Sequence, residues 1–544
     1  MKFHFYTLLT KIPLAHALLQ PSPELRVDTS SGVVHGIYND TTATVRGFLG
    51  IPYAEPPVHD LRFAQPRKRS PLPSPIDASS FSKPCPQMNH KFGDSILDVL
   101  PYQIWNVNDI SEDCLYLNVW APSAKHSGET SKAAVMVFIH GGDYEFGGTS
   151  IAYYDGTNMV RDNKDLIVVT LKLNVFGFPN TPGLDPARRN PGLQDQRLAI
   201  HWVHENIARF GGDPERITVF GQSAGAGSAD MYSYAYPDDP IIKAIILQSG
   251  TRTIHPLSYS VNDWDRLATA LNCGTGLESM ACMMESPMID IIQAMENGTY
   301  NFIPTPDEIT VFSDYPSRAK QGKLAKLPTL GGFDEKELSF SYSLSSPSIN
   351  ESAVFQDAVQ NFSCPLLEAL QYGLSHEVAN LLTYYIHRSR IKNNIPTWRY
   401  LYRGNFHSLS PKPWLGAYHT CIKLGLLTAA AEIPLVFGTY NTTAPGFSPP
   451  SESLVQTSRY MQGAWVAFAK DPLNGLNEYG WPQFTLKGES TSQQVPQQLE
   501  LQYSKLALAG DIQNNVVNLG LGNQPFAVMT TPLKWDSQCS ASQI

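Results

Sequence analysis

The sequence is poor in charge and contains no long apolar run. Only 16% of its 544 residues are charged, and 40 Lys and Arg against 49 Asp and Glu leave a formal net charge of −9. Nucleic acids and anionic membranes bind clustered basic residues, so the absence of a Lys/Arg block excludes a surface for either. No internal apolar stretch reaches the roughly 18 residues that a membrane-spanning helix needs, so stable membrane insertion is not expected.

Cysteine is also scarce. Seven cysteines are too few for a disulfide-built scaffold, and their odd number leaves at least one thiol unpaired or bonded to another chain. No Cys-x-x-Cys occurs and no His/Cys/Asp cluster has the spacing of metal ligands, so neither a metal nor an organic cofactor is predicted.

The sequence is rich in apolar residues, and its Gly and Pro residues are spread evenly along the chain. Hydrophobic residues make up 42% of the chain and aromatic residues 11%, which is typical of a protein with a large core. Because no repeat and no Ser/Gly/Pro linker divides the sequence, residues 18–544 are predicted to form a single domain.

The first 17 residues resemble a secretory signal peptide. Lys2 precedes apolar stretches, and Ala15 and Ala17 form a small-x-small cleavage signal. Lys11 interrupts the apolar region, so an ordinary cytosolic N-terminus is the alternative. The signal peptide predicts a secreted protein, on which five sequons would accept glycans although their number is close to chance: Asn39, Asn297, Asn350, Asn361 and Asn441.

Between residues 135 and 250, short apolar runs alternate with longer stretches of helical period. Continuous Val/Ile/Leu runs are typical of parallel strands buried on both faces, and the crossovers between such strands need helices of about a dozen residues or more. One such helix is predicted over 193–210, before a turn at Asp213-Pro214. The pattern indicates an α/β fold, with strands predicted at VMVFIH, LIVVTL, ITVF, AIILQSG, LPTLGG (327–332) and WRYLYRG (398–404).

The most specific motif lies directly after the predicted strand ITVF. Gly221-Gln222-Ser223-Ala224-Gly225 matches Gly-x-Ser-x-Gly in a strand-turn-helix context, where a sharp turn exposes the serine hydroxyl above the sheet edge. Side chains larger than glycine beside the serine would clash with neighbouring backbone. A glycine-rich turn with an idle serine is the alternative, which the context disfavours. Ser223 is therefore the candidate nucleophile, and a base must remove its proton.

A second motif follows the strand VMVFI. In Ile139-His140-Gly141-Gly142-Asp143, a glycine-rich loop faces the expected position of the nucleophile. Backbone N–H groups of such a loop can stabilise the oxyanion of a tetrahedral intermediate, and losing one donor costs roughly 10² to 10³ in rate. Without Ser223, this motif would indicate only a glycine-rich turn with no catalytic role.

These motifs and three longer segments make the chain resemble the type-B carboxylesterase/lipase family, the cholinesterase-like branch of the α/β-hydrolases. The segments are VRGFLGIPYAEPP at 45–57, SEDCLYLNVWAP at 111–122 and GLQDQRLAIHWVHENIARFGGDPERITVFGQSAGAGS at 192–228. The resemblance extends from about Val27 to about Tyr440. It implies an α/β-hydrolase fold, with a large, mostly parallel sheet, flanking helices and long insertions, and the activity of a serine carboxylic-ester hydrolase.

Carried over residue by residue, the resemblance implies three catalytic side chains. Ser223 is the nucleophile and His419, in the segment GAYH, is the general base. The acid of the family lies five residues after a glycine, which gives Glu337 after Gly332. Glu335 is the competitor, because the glycine that usually follows the acid is absent. The chain order Ser, Glu, His fits this fold.

The resemblance also implies an oxyanion hole formed by the backbone N–H groups of Gly142, Asp143 and Ala224, and a supporting contact from Ser249 to the acid. Gln222 replaces the usual glutamate before the nucleophile, which removes a negative charge. Asp143 replaces a third glycine. We expect its side chain to turn away, so that only its N–H faces the oxyanion.

Two disulfides are implied by the resemblance, Cys85 with Cys114 and Cys273 with Cys282, which leaves Cys364, Cys421 and Cys539 unassigned. Two segments differ in length from the pattern of the family. The segment 168–178 is about two residues short, and about ten residues are inserted within 420–431, next to His419. A displacement of the base by 1 Å would cost about a hundredfold in rate.

The Cys85–Cys114 loop bears on the substrate. Trp105 lies in the arrangement by which cholinesterases bind a quaternary ammonium group, a contact worth about 0.5 to 2 kcal/mol. That Trp105 only fills the wall of the gorge is the alternative, and nearby leucines equally suit the apolar lid of a lipase. The prediction therefore stops at a small-molecule or lipid carboxylic ester. A lipase or a choline-ester hydrolase remains an alternative, as does a catalytically impaired binding protein of the same fold.

Overall fold

A computed structural model describes residues 22–88, 109–127, 132–172, 176–181, 183–252, 262–298, 300, 302–334, 387, 389–402, 404, 432–440 and 449–484, and two strands at 516–519 and 528–530. Several predicted features lie outside them: the signal peptide, Trp105, Glu335, Glu337, His419, the sequons at Asn350, Asn361 and Asn441, and Cys364, Cys421 and Cys539.

Most of the described strands belong to one eleven-stranded sheet. In chain order the strands are β1 Arg26–Thr29, β2 Gly32–His35, β3 Ile37–Tyr38, β4 Val45–Pro52, β5 Ile76–Asp77, β6 Tyr116–Pro122, β7 Ala133–Ile139, β8 Leu166–Leu171, β9 Gly212–Gln222, β10 Ala244–Gln248, β11 Thr329–Asp334, β12 Thr397–Tyr402, β13 Val516–Leu519 and β14 Val528–Thr530. The large sheet has the order β14-β13-β12-β11-β10-β9-β7-β8-β6-β4-β3, and β1, β2 and β5 form a small second sheet.

The sheet is parallel from β8 to β13 and antiparallel at both edges. Every residue of β7 and of β8 is buried, as their unbroken apolar runs predict. Because side chains alternate between the two faces of a sheet, each strand contributes side chains to two hydrophobic cores, one on each face. Val135 and Val137 pack into the core that contains the helix after the nucleophile, whereas Met136 and Phe138 pack into the other.

Helices cover both faces of the sheet. They are α1 Ala124–Ser127, α2 Thr157–Asp162, α3 Pro191–Asn206, α4 Ala224–Ala235, α5 Asp263–Ala270, α6 Met280–Glu285, α7 Met288–Glu296, α8 Tyr315–Lys320, α9 Ile433–Phe437, α10 Glu452–Lys470 and α11 Gly475–Glu478. No helix in these described ranges is long and apolar enough to cross a membrane.

The predicted helix at 193–210 is α3 extended by a 3-10 turn. Proline occupies its first position, where the missing N–H costs nothing, and Gly211 ends the turn in the left-handed conformation at φ 97°. The chain then enters β9 at Gly212, earlier than predicted. Ala133 pairs with Gly212 and Val135 with Ile217, so the predicted turn at Asp213-Pro214 is a bulge within the strand.

Both implied disulfides are present. Cys85 and Cys114 are joined across 29 residues of sequence, and Cys273 and Cys282 across nine. The first closes the loop in which Trp105 lies. Arg62 connects the two disulfide regions, because it pairs with Glu112 at 2.5 Å and donates to the Met284 carbonyl oxygen.

Candidate active site

Ser223 occupies the sharp turn between β9 and α4. Its φ of 53° and ψ of −121° lie outside the regions that non-glycine residues normally adopt. The backbone holds this conformation from both sides, because the Ser223 N–H donates to the Gln248 carbonyl oxygen at 2.9 Å and its carbonyl oxygen accepts from the Gly227 N–H at 2.9 Å. The side chain is half-buried. A strained, well-braced serine at the carboxyl end of a central strand is what a nucleophile requires.

Gly221 and Gly225 are required because neighbouring atoms leave no room for a side chain, and not because of their backbone torsions. A Cβ placed on Gly225 would overlap the Ile139 carbonyl oxygen, and one placed on Gly221 would lie 2.5 Å from the carbonyl carbon of Gly225. The start of α4 therefore packs directly against the end of β7. This contact brings the nucleophile next to the glycine-rich loop.

The glycine-rich loop after β7 lies against the nucleophile. A Cβ on Gly141 would be 3.0 Å from the Ser223 Cβ and 2.5 Å from Oε1 of the buried Gln222. Gly142 has a φ of 114°, and its carbonyl oxygen accepts the N–H groups of Glu145 and Phe146 at 2.9 and 3.0 Å. The loop therefore lies against the serine at Gly141 and turns tightly at Gly142.

Two side chains that the sequence analysis missed anchor the loop. Tyr144 donates its hydroxyl to the Ala224 carbonyl oxygen at 2.9 Å, which ties the loop to the first turn of α4. Gln87 donates to the Gly147 carbonyl oxygen at 3.0 Å and accepts from the Gly147 N–H at 3.1 Å. Gln87 lies two residues after Cys85, so the disulfide region also supports the loop. Their neighbours in sequence carry no local signal for either contact.

Three ionisable side chains lie in the glycine-rich loop: His140, Asp143 and Glu145. Burial lowers the pKa of His140, as does nearby Lys172, although a contact with the Gly141 carbonyl oxygen opposes the shift. Asp143 has a φ of 54° and an exposed side chain, as expected if its carboxylate points away from the oxyanion. Burial, helped by the Asp143 charge, raises the pKa of the half-buried Glu145 to about 7.

On the other side of Ser223 lie the ends of β10 and β11. Ser249 follows β10 with a φ of 52°, and its N–H donates to the Gly332 carbonyl oxygen at 2.9 Å. Its buried Oγ has no hydrogen-bond partner among the described residues. Asp334, the last residue of β11, is also buried, and the chain that carries Glu335 and Glu337 begins directly after it.

A family model described as the Carboxylesterase family matches residues 23–388. The chain belongs to the carboxylesterase family. Among its relatives, the chlorogenic acid esterase of Aspergillus niger is 35% identical over 83% of this chain and 83% of its own length. Secreted lipase 5 of Gibberella zeae is 34% identical over 87% and 91%, and the acetylcholinesterase of Bungarus fasciatus is 29% identical over 88% and 84%.

Membership in the carboxylesterase family establishes the fold and the reaction class. The fold is that of the α/β-hydrolases, as the sequence analysis predicts, and the eleven-stranded sheet has the required parallel centre. The protein is a carboxylic ester hydrolase.

Proposed function

We propose that the protein hydrolyses carboxylic esters through an acyl-enzyme formed on Ser223. The observation that carries this proposal is the braced, strained turn at Ser223, which lies beside the glycine-rich loop. In this mechanism the Ser223 hydroxyl attacks the ester carbonyl and the alcohol leaves. Water then attacks the acyl-enzyme to release the acid.

The oxyanion hole is proposed at the N–H groups of Gly142, Asp143 and Ala224. Ala224 is the first residue of α4, and the first N–H groups of a helix have no intrahelical acceptor. The N-terminal end of the helix also favours negative charge, which supports a donor at this position. The neutral Gln222 adds no opposing charge beside the site.

His419 is the proposed base and Glu337 the proposed acid, with Glu335 as the alternative. His419 would take the proton of Ser223 and return it to the leaving alcohol, while the carboxylate would hold the imidazole tautomer and stabilise the imidazolium. The buried Ser249 Oγ supports an acid in this region, because a buried hydroxyl needs a partner and the candidate acids follow β11 closely.

Secretion is proposed from the signal-like N-terminus, the two disulfides and a relative named as secreted. If glycans are added, Asn297 is a better acceptor than Asn39. Asn297 is exposed at the end of α7, whereas the half-buried Asn39 donates its amide to the Thr157 hydroxyl.

Labelling with a fluorophosphonate tests the nucleophile. The wild-type protein should gain one phosphonyl adduct on the tryptic peptide that contains Ser223, and Ser223→Ala should gain none while losing about 10⁵-fold or more in kcat. Ser74→Ala removes an exposed serine and should be labelled like wild type. Folded wild-type protein without an adduct would favour the catalytically impaired alternative.

A panel of ester substrates tests which kind of ester the protein hydrolyses. Hydroxycinnamoyl, triacylglycerol and choline esters separate the three activities that the relatives' names describe. A lipase would show a jump in activity above the solubility limit of its substrate. If Trp105 binds a cationic alcohol, Trp105→Ala should raise the KM for choline esters about three- to tenfold and leave neutral esters unchanged. Equal choline-ester kinetics in both proteins would eliminate that contact.

A further inference from the structure

A buried chain of hydrogen bonds runs from α3 through α4 to the glycine-rich loop. Gln196 on α3 donates Nε2 to Ser228 Oγ at 3.1 Å, and the Ser228 hydroxyl on α4 donates to Tyr144 Oη at 3.3 Å. The Tyr144 hydroxyl in turn donates to the Ala224 carbonyl oxygen at 2.9 Å. All four residues are buried. We refer to Gln196, Ser228 and Tyr144 as the hydroxyl chain.

The two ends of the hydroxyl chain determine its direction. The amide Nε2 of Gln196 can only donate and the carbonyl oxygen of Ala224 can only accept, so each hydroxyl between them donates one bond and accepts one. Burial raises the pKa of the Tyr144 hydroxyl, which therefore keeps its proton at neutral pH and remains a donor. The hydroxyl chain thus satisfies its buried polar groups without an ionised side chain.

The last bond of the hydroxyl chain connects the two parts of the proposed oxyanion hole. Tyr144 directly follows Asp143 in the glycine-rich loop, which supplies two of the proposed N–H donors. Ala224, the first residue of α4, supplies the third. The bond from Tyr144 to Ala224 therefore joins the two segments whose spacing decides whether all three donors reach one oxyanion, at the roughly 2.7 to 3.1 Å that such donors require.

The backbone of the loop is strained where Tyr144 is attached. Tyr144 has a φ of 65° and Asp143 a φ of 54°, which are uncommon values for residues other than glycine. Strained conformations of this kind persist only where the surrounding structure holds them. The Tyr144 ring packs edge-to-face against Phe178 at 5.2 Å, and its hydroxyl binds α4. Ring packing therefore holds the side chain, and the hydroxyl fixes its distance from the helix.

The sequence of α4 leaves room for this hydroxyl. A Cβ placed on Gly227 would lie 3.2 Å from Tyr144 Oη, which is a tight contact. Glycine is otherwise unfavourable inside a helix, so its presence here agrees with the close approach of the tyrosine.

We propose that Tyr144 is a positioning residue that sets the spacing between the N–H donors of the glycine-rich loop and the N–H of Ala224, and that Ser228 orients its hydroxyl. This inference rests on the proposed function, because the oxyanion hole is part of that proposal. Tyr144 acts through the loop and α4 and not on the reacting atoms.

The first test compares Tyr144→Phe with the wild-type full chain on a neutral aryl ester. Phenylalanine keeps the ring against Phe178 and removes only the hydroxyl. We expect kcat to fall about tenfold and KM to stay within about twofold, because displaced donors weaken binding of the transition state and not of the ester. The Ki of an aryl trifluoromethyl ketone, which forms a hemiketal oxyanion on the serine, should rise by about the same factor. An unchanged kcat or an unchanged Ki would overturn the positioning role.

Tyr53→Phe is the matched control. The Tyr53 hydroxyl is also buried and donates to a backbone carbonyl oxygen, that of Lys172 at 2.7 Å, in a bond that involves neither the glycine-rich loop nor α4. Both variants should lower the unfolding midpoint slightly, because each leaves a buried carbonyl oxygen without this donor. Only Tyr144→Phe should lose activity. Equal losses of kcat would mean that general loosening of the fold explains the effect, and would overturn the proposal.

A double-mutant cycle with Ser228→Ala tests the hydroxyl chain. Ser228→Ala should lower kcat about two- to threefold on its own, because Tyr144 loses the donor that orients its hydroxyl, and should have no further effect in Tyr144→Phe. Independent losses from the two substitutions would overturn the role of Ser228. If Tyr144→Phe does not fold, an unchanged kcat in Ser228→Ala would overturn the proposal by itself. Failure of the proposed function would instead appear as wild-type protein that gains no phosphonyl adduct on Ser223.

Discussion

The two sides of the site are built from different physical elements. On the nucleophile side, which comprises residues 139–147 and 221–225, glycines at close approach and backbone hydrogen bonds fix the geometry. On the carboxyl side, which comprises residues 248–249, 332–334 and 432, buried polar and ionisable side chains fix it. The first side is sensitive to volume and the second to protonation.

The contrast follows from what each side must do. In the proposed mechanism, the nucleophile side presents the Ser223 hydroxyl to the ester carbonyl and N–H groups to the developing oxyanion. Rigid backbone does so without rearrangement during the reaction. The carboxyl side joins the end of β10 to the start of α9, which are distant in sequence, through the hydrogen bond from Gln248 to Glu432. Side-chain hydrogen bonds can connect such segments, but buried carboxyl groups then make the connection depend on pH.

The largest effect is expected from Gly225→Ala. The added methyl group would overlap the Ile139 carbonyl oxygen, so α4 must move away from β7 and carry Ser223 and the Ala224 N–H with it. We expect kcat/KM to fall about a hundredfold or more and the free energy of unfolding to fall by about 1 to 3 kcal/mol. Hydrolysis of an aryl ester per labelled active site measures the first quantity.

Gly148→Ala is the matched control. It adds the same methyl group close to the glycine-rich loop, but the nearest atom is the Pro84 Cβ at 3.9 Å, an ordinary contact. Its kcat/KM should stay within about twofold of wild type. If both variants lost activity equally, general destabilisation rather than the geometry of the turn would explain the result, and the volume-sensitive character of the nucleophile side would not hold.

The sequence predicted the two sides unequally. Gly-x-Ser-x-Gly after a strand is a local signal, because the motif is contiguous and the close contact between Gly221 and Gly225 lies within one turn. Four of the strand predictions likewise rest on continuous apolar runs. The anchors Tyr144 and Gln87 and the hydrogen bond between Gln248 and Glu432 were not predicted. Their contacts join residues that are distant in sequence, and neither composition nor period specifies which buried polar groups will meet.

Glu145→Gln is expected to have a moderate effect, on the pH dependence of stability. It also tests whether only the carboxyl side is sensitive to protonation. Glu145 is a titratable group on the nucleophile side, and its folded-state pKa of about 7 lies above its ordinary value of 4.5. Its stabilising contribution is therefore complete below about pH 4.5 and disappears as the pH rises through 7. Glu145→Gln should make the unfolding midpoint less dependent on pH between 5 and 8.

The change should be smaller than that caused by Glu432→Gln. Burial also raises the pKa of Glu432 to about 7, but Glu432 is fully buried, whereas Glu145 is half-buried and solvent screens its charge. Glu278→Gln, at an exposed position, serves as the control and should leave the pH dependence as in wild type. If Glu145→Gln removed as much of the pH dependence as Glu432→Gln, protonation would govern both sides of the site.

The smallest effect is expected from Asp143→Gly. We propose that Asp143 contributes only its N–H to the site. The residue is exposed and has a φ of 54°, and glycine would supply the same N–H with no penalty for positive φ. Turnover of neutral aryl esters should therefore change less than about threefold, because an exposed charge is well screened. Steady-state kinetics at two salt concentrations measure this directly. An increase in kcat of orders of magnitude would mean that the carboxylate opposes the oxyanion, and electrostatics would then limit the side of the site that we attribute to backbone geometry.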